Sequence, residues 1–453
     1  MSRDYQTRLN KVIPGGAHTY SRGFDQYPSN APQILERGEG AYVWEPDGNH
    51  YLDYGMALRA VTLGYAYPSV NAAAIREIDK GNNLTRPSMT ELHAAELLTE
   101  IIPSAEMVKF CKNGSNATTA AAKIARAYTA KHYICIPRQH PFFSFDDWFI
   151  GTTPITRGIP KSHVSFTLVF DYGDITSLER LFQEYPEQIA GVMLEPATTQ
   201  TPCNSHCNHI LSFEKPCSTC PDNQENFLHQ VQKLCQLNGS LFILDEMITG
   251  FRWHLQGAQT YFGVEPDLST FGKGMANGFS VAAVAGRREV MEVGAIDQPG
   301  TERTFLLSTT HGAEMCGLGA FIETVKVYRE REVCRHLWHY GQQLKNGLLS
   351  LAKDQRVQDY FTIDGPAISM NYITRDRDGQ ISLPFRTLFA QEMISHRVMI
   401  PWIAVSLAHG QTELELTLQA AQVAIQVYEK ALNDGIEKYL KSPVVKPVFR
   451  KYN

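Results

Sequence analysis

Residues 271–278 read FGKGMANG, and they place Lys273 among glycines. Earlier in the chain, residues 241–245 read LFILD, a short apolar run that ends in Asp245. An apolar run of this length is typical of a buried strand, and its last residue lies at the carboxyl end of that strand. Ligands of open α/β sheets bind at this edge. The two stretches therefore predict a binding site at the edge of such a sheet.

The functional groups of Lys273 and Asp245 fit one cofactor. A lysine amine among small residues can carry an aldehyde as a Schiff base. A carboxylate at the end of a strand can hold a protonated pyridine nitrogen, and these are the two main contributions that pyridoxal phosphate (PLP) needs. Each residue alone has an ordinary alternative. Lys273 could be a solvated loop lysine, and Asp245 could cap the element that follows.

A third feature is the turn NGSN at residues 113–116. It lies between a predicted strand at 108–111 and an alanine-rich predicted helix at 117–130. The first turn of a helix presents unpaired N–H groups and a partial positive charge, which together bind phosphate. Alone, the turn could be a simple helix cap. Together with Lys273 and Asp245 it predicts the phosphate site of PLP.

The composition sets the class of protein. The chain has 453 residues, 43% of them apolar and 20% charged, which is usual for an α/β enzyme with two or three domains. A net charge of −5 gives no electrostatic reason to expect nucleic-acid or membrane binding. We find no apolar run near the ~20 residues of a membrane-spanning helix and no apolar signal segment at the N-terminus. The cytoplasm is therefore the expected compartment.

Alternating strand and helix patterns in the middle of the chain predict an α/β fold with a mostly parallel sheet. We expect residues 1–70 to contribute to a small domain and to the substrate entrance. Residues 71–315 are predicted to form the large cofactor-binding domain, with a Cys-rich insertion at 201–223. Residues 316–453 are predicted to form most of a smaller α+β domain.

Several spaced motifs together resemble a known family. They are IPGGAHT at 13–19, GNHYLDY at 48–54, KNGSNA at 112–117, LDEMITGFR at 244–252 and GKGMANG at 272–278. The chain resembles the class III, fold type I, PLP-dependent aminotransferases, most closely the glutamate-1-semialdehyde aminomutase branch. The resemblance runs nearly end to end. It implies a large domain with a mostly parallel sheet of the seven-stranded type, plus a smaller α+β domain.

The resemblance also implies roles for single residues. Lys273 would bind PLP covalently and serve as the base for proton transfer, and Asp245 would pair with the pyridinium nitrogen. Phe142 occupies the place of a Tyr that stacks on the cofactor ring in relatives, although it could equally be a core aromatic beside Phe143. The other implied cofactor-binding residues are Gly114, Ser115, Asn116, Glu195 and Met247.

In relatives, a Thr of the neighbouring subunit closes the phosphate site. Thr309 matches that position, so the resemblance implies a homodimer with an active site shared across subunits. The alternatives are a plain Ser/Thr-rich turn, or Thr310 in place of Thr309. The implied small-molecule partners are an amino donor and a carbonyl acceptor.

The chain departs from the aminomutase pattern near its first domain. Leu58 stands where that pattern has a Trp, and Arg59 follows it. Candidate substrate residues are His18, Arg22, Arg59 and Trp402, since an arginine suits a carboxylate or a phosphate. Each could instead be an ordinary surface or packed residue. The departure favours amino transfer to a specialised metabolite, for example a sugar-derived one, over the alternative of glutamate-1-semialdehyde 2,1-aminomutase.

Four cysteines cluster outside the family pattern, namely Cys203, Cys207, Cys217 and Cys220. Paired cysteines at short spacing are typical ligands of structural zinc, so we predict a zinc site here. An iron–sulfur cluster, a single disulfide or free thiols are the alternatives. A non-catalytic protein that keeps the PLP fold as a zinc-bearing interaction module is the alternative from another functional class.

Overall fold

The computed structural model describes residues 4–203, 211–217 and 226–453. The chain divides into two compact units. The large unit is Pro68–Arg335, and the small unit joins the chain up to Tyr67 with His336–Asn453. The sequence-based boundary at 315 lies before the end of the large unit, because the helix Met315–Arg331 packs within that unit.

In the middle of the chain, strands and helices largely alternate, as the sequence predicts. The strands are β1 (Arg37–Glu39), β2 (Tyr42–Trp44), β3 (His50–Asp53), β4 (Met107–Cys111), β5 (Tyr133–Pro137), β6 (Thr167–Phe170), β7 (Ile189–Leu194), β8 (Leu241–Asp245), β9 (Leu268–Phe271), β10 (Ala282–Gly286), β11 (Phe361–Asp364), β12 (Asn371–Thr374) and β13 (Val398–Met399).

The α-helices range from single turns to more than 20 residues. They are α1 (Tyr5–Val12), α2 (Met56–Arg59, a single turn of left-handed backbone), α3 (Pro68–Asp79), α4 (Met89–Ile101), α5 (Gly114–Thr129), α6 (Asp147–Ile150), α7 (Ile175–Glu184), α8 (Phe227–Leu237), α9 (Gly257–Phe262), α10 (Arg288–Met291), α11 (Met315–Arg331), α12 (Val333–Asp354), α13 (Leu383–Ser395) and α14 (Gln411–Asp434). In the part of the chain that the structure describes, no helix is both long and apolar enough to cross a bilayer.

A seven-stranded sheet forms the centre of the large unit, in the order β4-β10-β9-β8-β7-β5-β6. β10 is antiparallel to both of its neighbours, and the remaining pairs are parallel. Every residue of β7 and β8 is buried, as expected for central strands covered on both faces. The predicted α/β fold with a mostly parallel sheet is confirmed.

Helix α5 packs against the sheet, and its buried face is built largely from alanines. Small side chains on this face allow the helix to lie close to the strands. Asn113 caps the helix, because its Oδ1 accepts the N–H of Asn116 at 3.0 Å. This cap fixes the start of α5 just after the carboxyl end of β4. The turn between the two elements is the predicted phosphate turn.

The small unit contains the sheet β1-β2-β3-β13 and the hairpin β11-β12. Its β13 pairs in parallel with β3, so the two ends of the chain share one sheet. A buried cluster of hydroxyls joins Tyr54 to Tyr340 at 2.6 Å and to Thr417 at 2.8 Å. The small unit is therefore one folded body made from distant parts of the sequence.

Candidate active site

Asp245 ends β8 at the carboxyl edge of the large sheet, and only 2% of its surface is exposed. Its Oδ1 accepts hydrogen bonds from Thr270 Oγ1 at 2.8 Å and from the N–H of Met247 at 3.1 Å. Oδ2 accepts no hydrogen bond from the described residues. Burial raises the pKa of Asp245 to about 6, and the charge of Lys273 opposes that rise. One carboxylate oxygen therefore stays available for a buried cation.

Lys273 follows β9, the strand next to β8. Its backbone φ of 44° lies in the left-handed region, which is uncommon for a residue with a side chain. Its side chain is half-buried, and its charge acts on the carboxylate of Asp245. The structure therefore brings together the two residues on which the cofactor prediction depends.

Two glycines pack against Met247. A Cβ at Gly272 would lie 2.6 Å from Met247 Sδ, and a Cβ at Gly114 would lie 2.9 Å from the same atom. Neither distance leaves room for a side chain. The Met247 side chain is buried and fits between the predicted phosphate turn and the predicted cofactor lysine. This arrangement fits PLP, because the two glycines let the phosphate turn and the lysine turn pack closely around Met247, so that both can contact one ligand.

The first turn of α5 offers free backbone donors. The side chain of Asn113 accepts the N–H of Asn116, and the N–H groups of Gly114 and Ser115 have no partner among the described residues. Ser115 is buried, and its Oγ accepts the N–H of Phe145 at 3.0 Å, which leaves its hydroxyl hydrogen for a ligand. The donor set at this helix terminus therefore suits a phosphate.

The loops after β5 and β7 carry Phe142 and Glu195. Phe142 is 44% exposed, whereas its neighbour Phe143 is buried in the core. Phe142 meets Phe149 edge to face, with ring centroids 5.8 Å apart. Its exposed ring is therefore available to a ligand, and the core position in this pair belongs to Phe143. Glu195 is buried at the end of β7.

His140 joins these two loops and was not predicted from the sequence. Its Nδ1 accepts the N–H of Glu195 at 3.0 Å, so the ring proton lies on Nε2. Burial lowers the pKa of His140 to about 3, and the imidazole is therefore neutral. Nε2 has no partner among the described residues. Thr270, the donor to Asp245, was missed as well, although a threonine inside a buried strand is a usable signal.

Thr309 lies in an exposed turn of the large unit. Its carbonyl accepts the N–H of Gly312 at 3.1 Å, and its neighbours Ser308 and Thr310 are exposed too. Asn83 fixes the turn by donating to the Thr310 carbonyl at 3.0 Å. The turn is therefore anchored to its own chain at Thr310, while the Thr309 side chain is open to contact from outside.

The small unit contains a cavity of about 740 Å³. Arg22 and Trp402 line it, together with Leu58. His18 and Arg59 are not among its lining residues; His18 is exposed and Arg59 is half-buried. Two of the four predicted substrate residues therefore meet at one cavity.

Cys203 and Cys217 lie close together, with their Sγ atoms 2.8 Å apart. The hydrogen bond between the two thiols lowers the pKa of Cys217 to about 7. Cys207 and Cys220, the other two predicted zinc ligands, lie outside the described residues. Within the described ranges, no group of three or more potential ligands is arranged to hold a metal ion.

This fold and this site define a PLP-dependent enzyme of fold type I. The chain matches the family described as "Aminotransferase class-III" over residues 25–209 and 220–380, and it belongs to that family. The unmatched residues 210–219 fall inside the segment 201–223, which the sequence analysis predicts to be an insertion. PLP is the cofactor of this family.

Two relatives cover nearly the whole chain. The glutamate-1-semialdehyde 2,1-aminomutase of Nitrosospira multiformis is 31% identical over 93% of this chain and 99% of its own. The aminomutase of Natranaerobius thermophilus is 30% identical over 94% of this chain and 97% of its own.

Solved structures show the same fold. The FumI protein of Sphingopyxis sp. MTA144, in its PLP internal aldimine form, superposes with a TM-score of 0.82 at 27% identity, covering 95% of this chain and 97% of its own. An omega-transaminase of Sphaerobacter thermophilus gives a TM-score of 0.79 at 26% identity, covering 94% of this chain and 97% of its own.

Proposed function

We propose that this aminotransferase moves an amino group from an amino-acid donor to an aldehyde or ketone acceptor of a specialised metabolite, such as a sugar-derived carbonyl compound. The observation that carries this proposal is Leu58 on the cavity wall, where the aminomutase pattern has a Trp. A smaller side chain changes which acceptors fit. Arg22, on the same cavity, supplies a guanidinium for a carboxylate or phosphate of the substrate, and Arg59 and His18 are further candidates.

The catalytic roles rest on the large unit. Bound PLP supplies the electron sink of the reaction. In our proposal Lys273 Nζ would hold the cofactor aldehyde, and the same amine would serve as the base for proton transfer. Asp245 Oδ2 holds the pyridine nitrogen in its protonated form, which the free oxygen and the buried setting support.

The remaining cofactor contacts follow from the loops at the same edge. The N–H groups of Gly114 and Ser115 bind the phosphate, with Asn116 beside them on the first turn of α5. Met247 would pack against one face of the ring, and Phe142 would stack on the other face. Glu195 is buried directly after β7, at the same edge of the sheet, and we include it among the cofactor-binding residues for that reason.

A panel of donors and acceptors tests the proposal. The holoenzyme is mixed with single amino donors, and the loss of the absorbance band near about 420 nm reports formation of the aminated cofactor. Carbonyl acceptors then restore the band. A purified protein without a borohydride-sensitive band would favour the non-catalytic interaction module instead.

A second candidate function is glutamate-1-semialdehyde 2,1-aminomutase. Its support is the name of the two relatives that match over more than nine-tenths of the chain. Both functions use the same cofactor residues and differ in whether one molecule serves as donor and acceptor. Rapid formation of 5-aminolevulinate from glutamate 1-semialdehyde by the pyridoxamine-phosphate form would favour this candidate over ours.

We also propose a homodimer in which Thr309 completes the phosphate site of the partner subunit. The exposed Thr309 side chain supports this arrangement. Thr309→Ala is expected to weaken PLP binding about tenfold, since it removes one hydrogen bond to a charged group. Thr310→Ala tests the alternative position, and Ser308→Ala, at another exposed residue of the same turn, is the control. Light scattering gives the oligomeric state independently, and a monomer with full PLP affinity would contradict the proposal.

For the cysteine cluster we propose a structural zinc ion held by Cys203, Cys207, Cys217 and Cys220. The described pair supports it, because two thiols lie together and the pKa of Cys217 falls to about 7, which favours the thiolate that zinc requires. Metal analysis of the purified protein should give about one zinc per chain. Cys203→Ser should lose it, whereas Cys334→Ser should not. Metal-free protein with two fewer titratable thiols would indicate a disulfide.

We propose the cytoplasm as the compartment. Seven cysteines of the described part of the chain are free thiols, which suits a reducing environment. Cell fractionation of a tagged protein tests this assignment.

A further inference from the structure

The segment Met56–Arg59 adopts a left-handed backbone at four consecutive positions. The φ angles are 40°, 47°, 62° and 68°, and none of the four residues is glycine. In this conformation the Cβ atom crowds the following carbonyl, so a residue with a side chain adopts it only where the surroundings impose it. We call this segment the left-handed turn.

Two side chains impose this conformation. The buried carboxylate of Asp53 accepts the N–H of Gly55 at 2.7 Å and the N–H of Met56 at 3.0 Å. The Tyr65 hydroxyl donates to Asp53 Oδ2 at 2.6 Å. The oxygen of this Tyr65 hydroxyl also accepts the N–H of Ala57 at 2.9 Å. Three consecutive N–H groups are thus held by one carboxylate and one phenol.

The turn also forms part of the cavity in the small unit. Ala57 and Leu58 line this cavity, and so do Asp53 and Tyr65 themselves. Trp402, on the same wall, donates its Nε1 to the Gly55 carbonyl at 3.0 Å, which ties the far end of the chain to the start of the turn. A change in the backbone at 55–58 would therefore change the direction of Leu58.

We propose that Asp53 and Tyr65 are positioning residues that set the substrate selectivity of this enzyme by holding the left-handed turn. The inference rests on the proposed function, because it takes the cavity as the place where the side chains of donors and acceptors are distinguished. Without the Tyr65 hydroxyl, the N–H of Ala57 loses its acceptor and Asp53 loses one of its donors. The turn then relaxes toward ordinary backbone angles and moves Leu58 on the wall.

The test compares Tyr65→Phe with Tyr42→Phe in the holoenzyme. Tyr42 also lies in the small unit and loses one hydroxyl contact, to Glu413 Oε1 at 2.9 Å, but it does not line the cavity. The steady-state kcat and KM are measured for small, acidic and aromatic amino donors. Tyr65→Phe should change the ratio of kcat/KM between aromatic and small donors at least about fivefold, mainly through KM. Tyr42→Phe should leave this ratio unchanged.

Leu58→Ala provides a second measurement that does not depend on the stability of the turn. It should alter the same ratio, and the double variant Tyr65→Phe/Leu58→Ala should show less than the sum of the two effects, because both act on one wall. Fully additive effects, or an unchanged ratio in Tyr65→Phe, would overturn the inference while amino transfer itself continues. A wild-type enzyme that binds PLP but takes an amino group from no donor would overturn the proposed function, and this inference with it.

Discussion

Two turns of this molecule place side chains for chemistry, and they do so by opposite means. In the large unit, Gly272 and Gly114 have no side chain because Met247 Sδ occupies the space where a Cβ would lie. In the small unit, the left-handed turn keeps its side chains at positive φ, and its backbone N–H groups donate hydrogen bonds to Asp53 and Tyr65, which hold it in place.

This difference indicates which kind of ligand each region is suited to bind. Close packing with glycine leaves a surface of fixed shape, which suits one invariant ligand such as a cofactor. A turn held by side-chain hydrogen bonds can present different residues at Ala57 and Leu58 without losing its backbone form. It therefore suits a surface that distinguishes substrates.

The largest expected effect tests the large unit directly. Lys273→Ala removes the amine that we assign to cofactor binding and proton transfer, and kcat should fall at least about 10³-fold. The borohydride-sensitive absorbance should disappear. Lys109→Ala, at an exposed lysine of β4, serves as the control and should keep both properties. A Lys273→Ala enzyme with near-normal turnover would remove the basis of the comparison.

The next effect concerns Asp245. With a pKa raised to about 6, this carboxyl is mostly protonated at pH 5 and mostly ionised at pH 7. Only the ionised form attracts a pyridinium, so the affinity of the apo-enzyme for PLP should rise about tenfold between those pH values. Equilibrium dialysis measures it. Asp245→Asn should bind weakly at both values, with kcat lower by about 10²-fold.

The same carboxyl affects the stability of the apo-enzyme. Because its pKa in the folded state is raised above the unfolded value, folding is favoured while it is protonated, and this contribution is lost as pH rises to about 6. The melting temperature of the apo-enzyme should therefore show a fall between about pH 4 and 6 that Asp245→Asn lacks. An identical pH profile in both proteins would argue against a buried, shifted Asp245.

Gly272→Ala sharpens the comparison at the level of packing. The added methyl group meets Met247 Sδ, so we expect a loss of about 1–3 kcal/mol in stability together with weaker PLP binding. Gly410→Ala is a milder change, since its Cβ would lie 3.3 Å from the end of the flexible Glu413 side chain. Urea unfolding of both variants in the apo form gives the difference. Equal losses of stability in the two variants would mean that the contact with Met247 does not determine the effect of Gly272→Ala.

The smallest effect tests the strain in the left-handed turn. Ala57→Gly relieves a cost of about 1–2 kcal/mol and adds about 0.4–1 kcal/mol of chain entropy to the unfolded state. Stability should therefore stay level or rise by about 1 kcal/mol. Ala72→Gly, at an exposed position in α3, should lose about 1 kcal/mol. If both variants lose the same amount by urea unfolding, the turn is not strained and the two regions do not differ in the way described.

The site in the large unit could be predicted from the sequence because the residues that indicate it lie in short, continuous stretches. The apolar run before Asp245 and the glycines around Lys273 predicted a sheet edge with a cofactor, and the two residues lie at the carboxyl ends of neighbouring strands. His140 was not readable, since its partner is the backbone of Glu195, far away in the chain. The left-handed turn was not readable either. Its residues, Met56–Arg59, contain none of the residue types that are typical of a turn. The hydrogen-bond acceptors that hold it, Asp53 and Tyr65, lie outside the segment.

The small unit is built from both ends of the chain, and this has a consequence for the order of events during synthesis. All seven strands of the large sheet have been made once Gly286 leaves the ribosome. The cavity needs Met399 and Trp402, and residues as late as Lys446 contribute to it. Since domains generally fold as units during translation, the cofactor edge can mature while the substrate wall is still unfinished. A nascent chain arrested near residue 380, with the whole large unit outside the ribosome, should therefore already capture the cofactor before it has any means of choosing a substrate.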